Sequence, residues 1–228
     1  MSTPSVYIVV PAYNERIDVL QRVLALLAAT GNGVVLVDDG SEPALQPALH
    51  NLPVQYLRHR KNLGQGAALQ TGTRYALQQG AEWIVHFDAD GQHTAADLEA
   101  LLQPLQNGEC DVVLGSRFLQ TGANQVPLPK RLLLHGARYL HWLFTGLLLS
   151  DAHNGLRALN RKAAAAIRLT ENRMAHATEL LFEIRRHHLR WKEVPVHITY
   201  TSYSRQKGQS VFNSIRIFFD VLLHKLFS

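Results

Sequence analysis

The chain has 228 residues, 46% hydrophobic and 18% charged, enough for one sizeable domain and free of low-complexity tracts and internal repeats. A formal charge of +5 suits an anionic partner and equally a mildly basic globular surface, so charge alone selects neither. Cys110 is the single cysteine, which excludes an intrachain disulfide and a cysteine-based zinc site and fits a reducing cytoplasm.

The opening MSTPSVYIVVPAYNER lacks a basic n-region and enters a strand-like run within five residues, so no signal peptide is expected. Short β-branched runs at 5–10, 33–37, 53–57, 82–87 and 110–115 read as strands. Between them Glu15–Ala29, Gly66–Gln79 and Thr94–Gln106 carry apolar residues at helical spacing, with Thr94 and Asp97 spaced as a capping box. Continuous apolar strands alternating with helices predict an α/β fold, a mainly parallel sheet covered by helices on both faces. Ligands of such sheets bind at the carboxyl ends of the strands, where PAYNER, DDGSEP, DADGQ and GSRF are predicted to converge.

From about residue 120 the pattern changes. A loop leads to a very apolar helix over 132–149, and DAHNGLRALN (151–160) reads as a loop. Helices follow over Arg161–Leu169 and Ala175–His188, then a strand interrupted by Pro195, a basic loop SYSRQKGQS, and a last helix over 210–228. No linker divides the chain, so one domain is expected, with residues 1–119 and 120–228 as its two halves. No uncharged apolar run reaches the roughly 18 residues that a spanning helix needs.

In WIVHFDADGQH (83–93), Asp88, Asp90 and Gln92 place two carboxylates and an amide at alternate positions directly after a buried run. Such oxygens suit Mg²⁺ or Mn²⁺, while DADG is also ordinary turn chemistry; the position after a buried strand favours the metal. LVDDGS (36–41) ends another strand in acids, where Asp38 or Asp39 can accept from a base N–H or a ribose hydroxyl and Ser41 can cap a helix. Gly64 and Gly66 precede a helix, but the spacing misses the dinucleotide fingerprint, so close approach of backbone to a ligand is the better reading. Arg117, Lys130, Arg131, Arg157, Arg205 and Lys207 fall in predicted loops; singly each is surface, together they can neutralise phosphates. The histidines lack metal spacing: His187 and His188 read as helix surface, His86 and His197 as strand residues.

VVPAYNE, VDDGS, NLGQGAALQTG, DADGQH, GSRF and DAHNGLRAL, in this order, resemble glycosyltransferase family 2, in particular its dolichol-phosphate mannose and polyprenyl-phosphate glucose synthase branch. The resemblance covers residues 5 to about 210 and implies a GT-A fold, a nucleotide-diphosphate sugar donor, a divalent metal and inversion at the anomeric carbon. By position it assigns Pro11, Tyr13, Glu15 and Asp39 to base and ribose, and Asp88, Asp90 and Gln92 to the metal. Arg117 and Arg131 would face an acceptor phosphate, with Arg205 and Lys207 closing over the donor.

The function expected from this is hexose transfer from a UDP- or GDP-sugar to a polyprenyl phosphate at the cytoplasmic face of the cell membrane. The alternatives are transfer to a saccharide hydroxyl in cell-envelope polysaccharide synthesis, for which Glu179 is the candidate base, and a non-catalytic nucleotide-sugar-binding module. Nucleic acid is not an expected partner, since no aromatic–basic stripe accompanies the charge. Relatives often carry transmembrane helices after the catalytic domain. Here the final helix, with Arg216, Asp220 and His224 at i, i+4 and i+8, is expected to lie on a membrane surface, form a homodimer or dock on a small membrane-spanning partner.

Overall fold

The computed structural model describes residues 5–49, 51–119, 139, 142–143, 145–151, 154–170 and 175–199. Strands β1 (Val6–Ala12), β2 (Gly33–Asp38), β3 (Val54–Arg58), β4 (Trp83–His86) and β5 (Val112–Ser116) fall where the β-branched runs predict them. Helices α1 (Ile17–Ala28), α2 (Gln65–Gln78) and α3 (Leu98–Gln106) connect them, and β6 (Arg157–Asn160), α4 (Arg161–Ala166), α5 (Ala175–Arg186) and β7 (Trp191–Pro195) follow. They form a seven-stranded sheet ordered β3-β2-β1-β4-β6-β5-β7. All pairings are parallel except those of β6, which runs antiparallel between β4 and β5.

Alternation along the buried strands sends side chains to two cores. Val6, Ile8 and Val10 pack with Leu20, Leu24 and Leu27 of α1 and Leu101 and Leu105 of α3. Tyr7 and Val9 face the opposite side, with Ala68, Leu69 and Ala76 of α2 and Leu180, Leu181 and Ile184 of α5. Both faces are therefore covered, as uninterrupted apolar strands require.

The structure corrects several expectations. DAHNGLRALN is not simply a loop: its last four residues form β6, and β6 separates β4 from β5. A four-residue strand that opens on an arginine after Asn-Gly has too little β-branched content to announce itself. Arg157 is accordingly 3% exposed inside the sheet, where the basic series placed it in a loop. The helix predicted over 132–149 has stopped by residue 146: Gly146 adopts φ 72° and donates its N–H to the Trp142 carbonyl, a left-handed helix end, and 147–149 are not helical. The Thr94–Asp97 capping box is half formed. Thr94 accepts from Ala96 N at 3.3 Å, but Asp97 turns to His197, accepting from its backbone N–H and pairing with its Nδ1, both at 2.7 Å. His197 lies just beyond β7, which Pro195 ends, so it is not a strand residue. Helix α4 stops at Ala166 rather than Leu169, because Ile167 is already extended. The final helix predicted over 210–228 lies outside the described residues.

Candidate active site

The first polar segment leaves β1 at Ala12. Pro11 is buried in the strand opposite Val37, Tyr13 is exposed and Glu15 half-buried. Asn14 takes φ 48°, donates its N–H to Ser41 Oγ at 2.9 Å and accepts from Glu42 N at 3.0 Å. Ser41 thus latches the β1–α1 loop to the turn after β2.

That turn holds two acids with different duties. Asp38, fully buried, accepts from Ser41 N at 2.8 Å, Leu45 N at 3.1 Å and Tyr56 Oη at 2.6 Å, with Arg58 Nε 3.5 Å away. Burial pushes its carboxyl up, but the bonds from Ser41, Tyr56 and Leu45 outweigh it and hold the group below the ordinary carboxylate range. Asp39 pairs with His59 Nδ1 at 2.7 Å and accepts from Leu63 N at 2.9 Å and Gly64 N at 2.7 Å. Gly64, at φ 98°, lets the chain turn into α2 while its amide points back at Asp39.

From α2, Gln65 Nε2 donates to Asp88 Oδ1 at 2.9 Å, the link to the segment after β4. His93 Nε2 stands 3.7 Å from the other oxygen of Asp88. Burial pushes Asp88 up, but His93, Arg157 and His176 around it hold the carboxyl low. Asp90 goes the other way: burial and the neighbouring Asp88 charge raise it, against bonds from Gln92 N at 3.0 Å and Gln92 Nε2 at 2.6 Å. The two carboxylates of one loop repel each other, which is the electrostatic setting a divalent cation relieves. Among the described residues no group of three His, Cys, Asp or Glu side chains gathers as a metal cage. A cation here would rest on Asp88 and Asp90, with the remaining positions left to water and phosphate, as Mg²⁺ tolerates. Gln92, placed with them by the alternating spacing, spends its amide N–H on Asp90; its oxygen joins a cation only if the amide turns.

On the far side of Asp88 the start of β6 presses in. A methyl at Gly155 would lie 1.9 Å from Asp88 Oδ2, so only glycine fits. Arg157 bonds the carbonyls of Gly155 at 3.2 Å and Asn154 at 3.4 Å, and burial lowers its guanidinium to about 10 despite the Asp88 charge. Asn154 Nδ2 reaches Asp151 Oδ2 at 3.4 Å, and that oxygen accepts from Arg117 N at 3.1 Å and Arg117 Nε at 2.7 Å. PAYNER, DDGS, NLGQG, DADG, DAHNG and GSRF thus form one continuous series of contacts along the carboxyl end of the sheet. A cleft of about 440 Å³ opens beside it, between Asp90, Gly91 and His93 and the Arg16, Val19, Arg22 and Leu26 flank of α1.

Glu179 does not join this series by any bond described. It is 2% exposed on α5, and its two oxygens accept from Thr170 N at 2.9 Å and Thr170 Oγ1 at 2.6 Å. Arg131, Arg205 and Lys207 lie outside the described residues. The spacing arguments missed Gln65, Gly155 and Asp151, brought in by contacts between distant segments, and His93, five residues from Asp88; Arg157 they placed in a loop. NLGQG and DAHNG, which carry three of them, read as a glycine-bearing stretch before a helix and as part of a loop.

The sequence matches the profile of Glycosyl transferase family 2 over residues 7–168. It is 29% identical to the UDP-N-acetylglucosamine–dolichyl-phosphate N-acetylglucosaminyltransferase of Methanococcus voltae, over 99% of this chain and 98% of that one. It is also 29% identical to the undecaprenyl-phosphate mannosyltransferase of Micrococcus luteus, over 89% and 85%. The fold is similar to that of glucosyl-3-phosphoglycerate synthase from Mycobacterium tuberculosis, crystallised with Mn²⁺, UDP and glucosyl-3-phosphoglycerate. The TM-score is 0.66 at 15% identity, covering 96% of this chain and 77% of that one. With two acids at the end of β4 and the family's motifs joined along one sheet edge, the chain belongs to glycosyl transferase family 2, a glycosyltransferase of GT-A fold.

Proposed function

We propose that the protein is a metal-dependent, inverting transferase that moves a hexose from a UDP- or GDP-sugar to a polyprenyl phosphate at the cytoplasmic face of the membrane. The observation that carries this is the Asp88–Asp90 pair, like charges held together after β4, with Arg117 tied by Asp151 to the loop whose Gly155 lies against Asp88. The two curated relatives named above bear lipid-phosphate acceptors in their names, and the solved relative binds Mn²⁺ with UDP.

In this reading Asp88, Asp90 and Gln92 hold Mg²⁺ or Mn²⁺, which neutralises charge on the departing nucleoside diphosphate. Pro11, Tyr13, Glu15 and Asp39 receive the base and ribose; Asp39, with three bonds made, keeps room for about one more. Gly64 allows close approach of the donor, while Asp38, inside the turn, shapes that pocket without touching it. Arg117 and Arg131 receive the acceptor phosphate, and Arg205 and Lys207 close over the donor. A lipid phosphate is already anionic near neutral pH, so positioning and charge neutralisation carry the reaction without a strong base. Residues 1–119 then serve the donor and 120–228 the acceptor within one domain. No helix among the described residues is long and apolar enough to cross a membrane; the proposed attachment is through an apolar surface, a homodimer or a membrane-spanning partner.

The bonding of Glu179 to Thr170 counts against its serving as a base toward a saccharide hydroxyl. The test is to incubate the protein and Mn²⁺ with labelled UDP- and GDP-hexoses and either a polyprenyl phosphate or an oligosaccharide. Label is expected in the organic extract; label on saccharide alone would overturn the lipid-phosphate reading.

A further inference from the structure

The acceptor side carries two carboxylates, buried Asp151 and half-buried Glu193, that no step above uses. Glu193, on β7, accepts from Ser150 N at 2.8 and 2.9 Å, from Ser150 Oγ at 2.8 Å and from Asp151 N at 3.2 Å. Because Ser150 Oγ gives its proton to Glu193, the 2.5 Å contact between Ser116 and Ser150 is donated by Ser116. Ser116 Oγ in turn accepts from Phe118 N at 3.2 Å, tying the residues on both sides of Arg117. The Asp151 side chain, 4% exposed, then meets Arg117, 25% exposed, through backbone N and Nε on one oxygen. The end of β5, the loop before β6 and β7 are therefore joined in one network that reaches the guanidinium through Asp151. A carboxylate as buried as Asp151 costs stability unless matched, and simple packing would not call for it.

We propose that Asp151, itself held by Glu193, is a positioning residue that fixes the Arg117 guanidinium toward the acceptor phosphate before substrate arrives. The pairing holds Arg117 at two points, its backbone N–H and its Nε. A pre-aimed arginine does not lose its rotamer freedom on binding, so the gain falls on acceptor affinity and on the geometry of attack. Asn154, bonded to the same Asp151 oxygen, is followed by Gly155 against Asp88, so one short loop registers the arginine to the donor carboxylate. The inference rests on the reading of Arg117 as the acceptor's contact.

The test compares Asp151→Asn, Glu193→Gln, Arg117→Ala and the Arg117→Ala/Asp151→Asn double variant, with Mn²⁺, the hexose donor the parent uses and a short-chain polyprenyl phosphate in micelles. Loss of one charged hydrogen bond predicts an acceptor KM raised about tenfold to a hundredfold in Asp151→Asn, and less in Glu193→Gln. Nucleotide binding with Mn²⁺, read by thermal shift, is expected to match the parent. The double variant should be no worse than Arg117→Ala, since the two residues act as one unit. An unchanged acceptor KM in Asp151→Asn beside a raised one in Arg117→Ala would overturn the inference and spare the acceptor reading. An unchanged KM in Arg117→Ala overturns both. Should Asp151→Asn fail to fold, Glu193→Gln decides the question by the same two readouts.

Discussion

Asp38–Asp39 and Asp88–Asp90 look alike in sequence: each stands at the end of a buried strand, and each is followed by a glycine with positive φ, 77° at Gly40 and 73° at Gly91. Their surroundings differ. The first pair is answered entirely by protein groups, from Ser41, Leu45 and Tyr56 on Asp38 and from His59, Leu63 and Gly64 on Asp39. In the second pair Asp88 is answered by Gln65 and a cationic surround, while Asp90 has Gln92 and faces the Asp88 charge. Asp38, satisfied by the protein inside the turn, is a structural member, and Asp39 keeps room for one more bond; in the proposed function the Asp88–Asp90 repulsion is what a cation relieves. The motif does not tell them apart, and the count of donors around each does.

The comparison breaks most visibly at Asp90. Asp90→Ala is expected to lower transfer by about a thousandfold or more, the scale of losing an electrostatic contact made in the transition state. Its unfolding temperature should stay level or rise, because a like-charge neighbour is gone. A clear fall in unfolding temperature would place Asp90 with the structural pair.

Asp38→Ala should behave in the opposite sense. Removing a fully buried carboxylate strands the Tyr56 hydroxyl and the Leu45 and Ser41 amides, at about 3 kcal/mol in total. Urea unfolding is expected to show a lower midpoint at unchanged slope, with residual activity in proportion to folded protein. Full stability with lost donor binding would reverse the assignment.

Gly155→Ala probes the second pair from behind. The added methyl has no room beside Asp88 Oδ2, so the carboxylate must shift. Support of this kind affects metal affinity by about ten- to a hundredfold. Titration of Mn²⁺ followed by its electron paramagnetic resonance signal would show it, and an unchanged affinity would mean that Gly155 serves the turn alone.

How much of this was legible follows from how local each signal is. The strands β1–β5 and helices α1–α3 rest on period and composition within a dozen residues, and they appear within two residues of their expected ends, except that α3 begins at Leu98, four residues after Thr94. The Asp88–Asp90 pair was legible because its spacing lies within one loop. The Arg117–Asp151 pair joins residues 34 apart, and Gln65–Asp88 joins residues 23 apart; no local period encodes either. Arg157 was misplaced because a charged residue at the head of a four-residue strand looks like a loop until its burial and the Asp88 charge are known.

The smallest effect separates the strands beneath the two pairs. Two positions before Asp38 lies Leu36; two before Asp88 lies His86, 1% exposed, with Nε2 at 2.9 Å from Thr73 Oγ1 and a buried Nδ1 without a hydrogen-bond partner. Burial first, then the neighbouring Arg157 and His176, hold its pKa down to about 3. An unfolded histidine titrates near 6.5, so the unfolded chain takes up this proton first as pH falls. The contribution to stability is intact above pH 6.5 and is lost progressively toward pH 3, by about 1.4 kcal/mol at pH 5.5. Other histidines titrate in the same window, so the comparison must be made against His86→Gln. Between pH 7.5 and 5.5 the parent should lose about 1.4 kcal/mol more than this variant in urea unfolding. No pH-dependent group lies at the corresponding place under Asp38, so replacing Leu36 should leave that slope untouched. Equal slopes for parent and His86→Gln would mean that His86 accepts its proton in the folded protein.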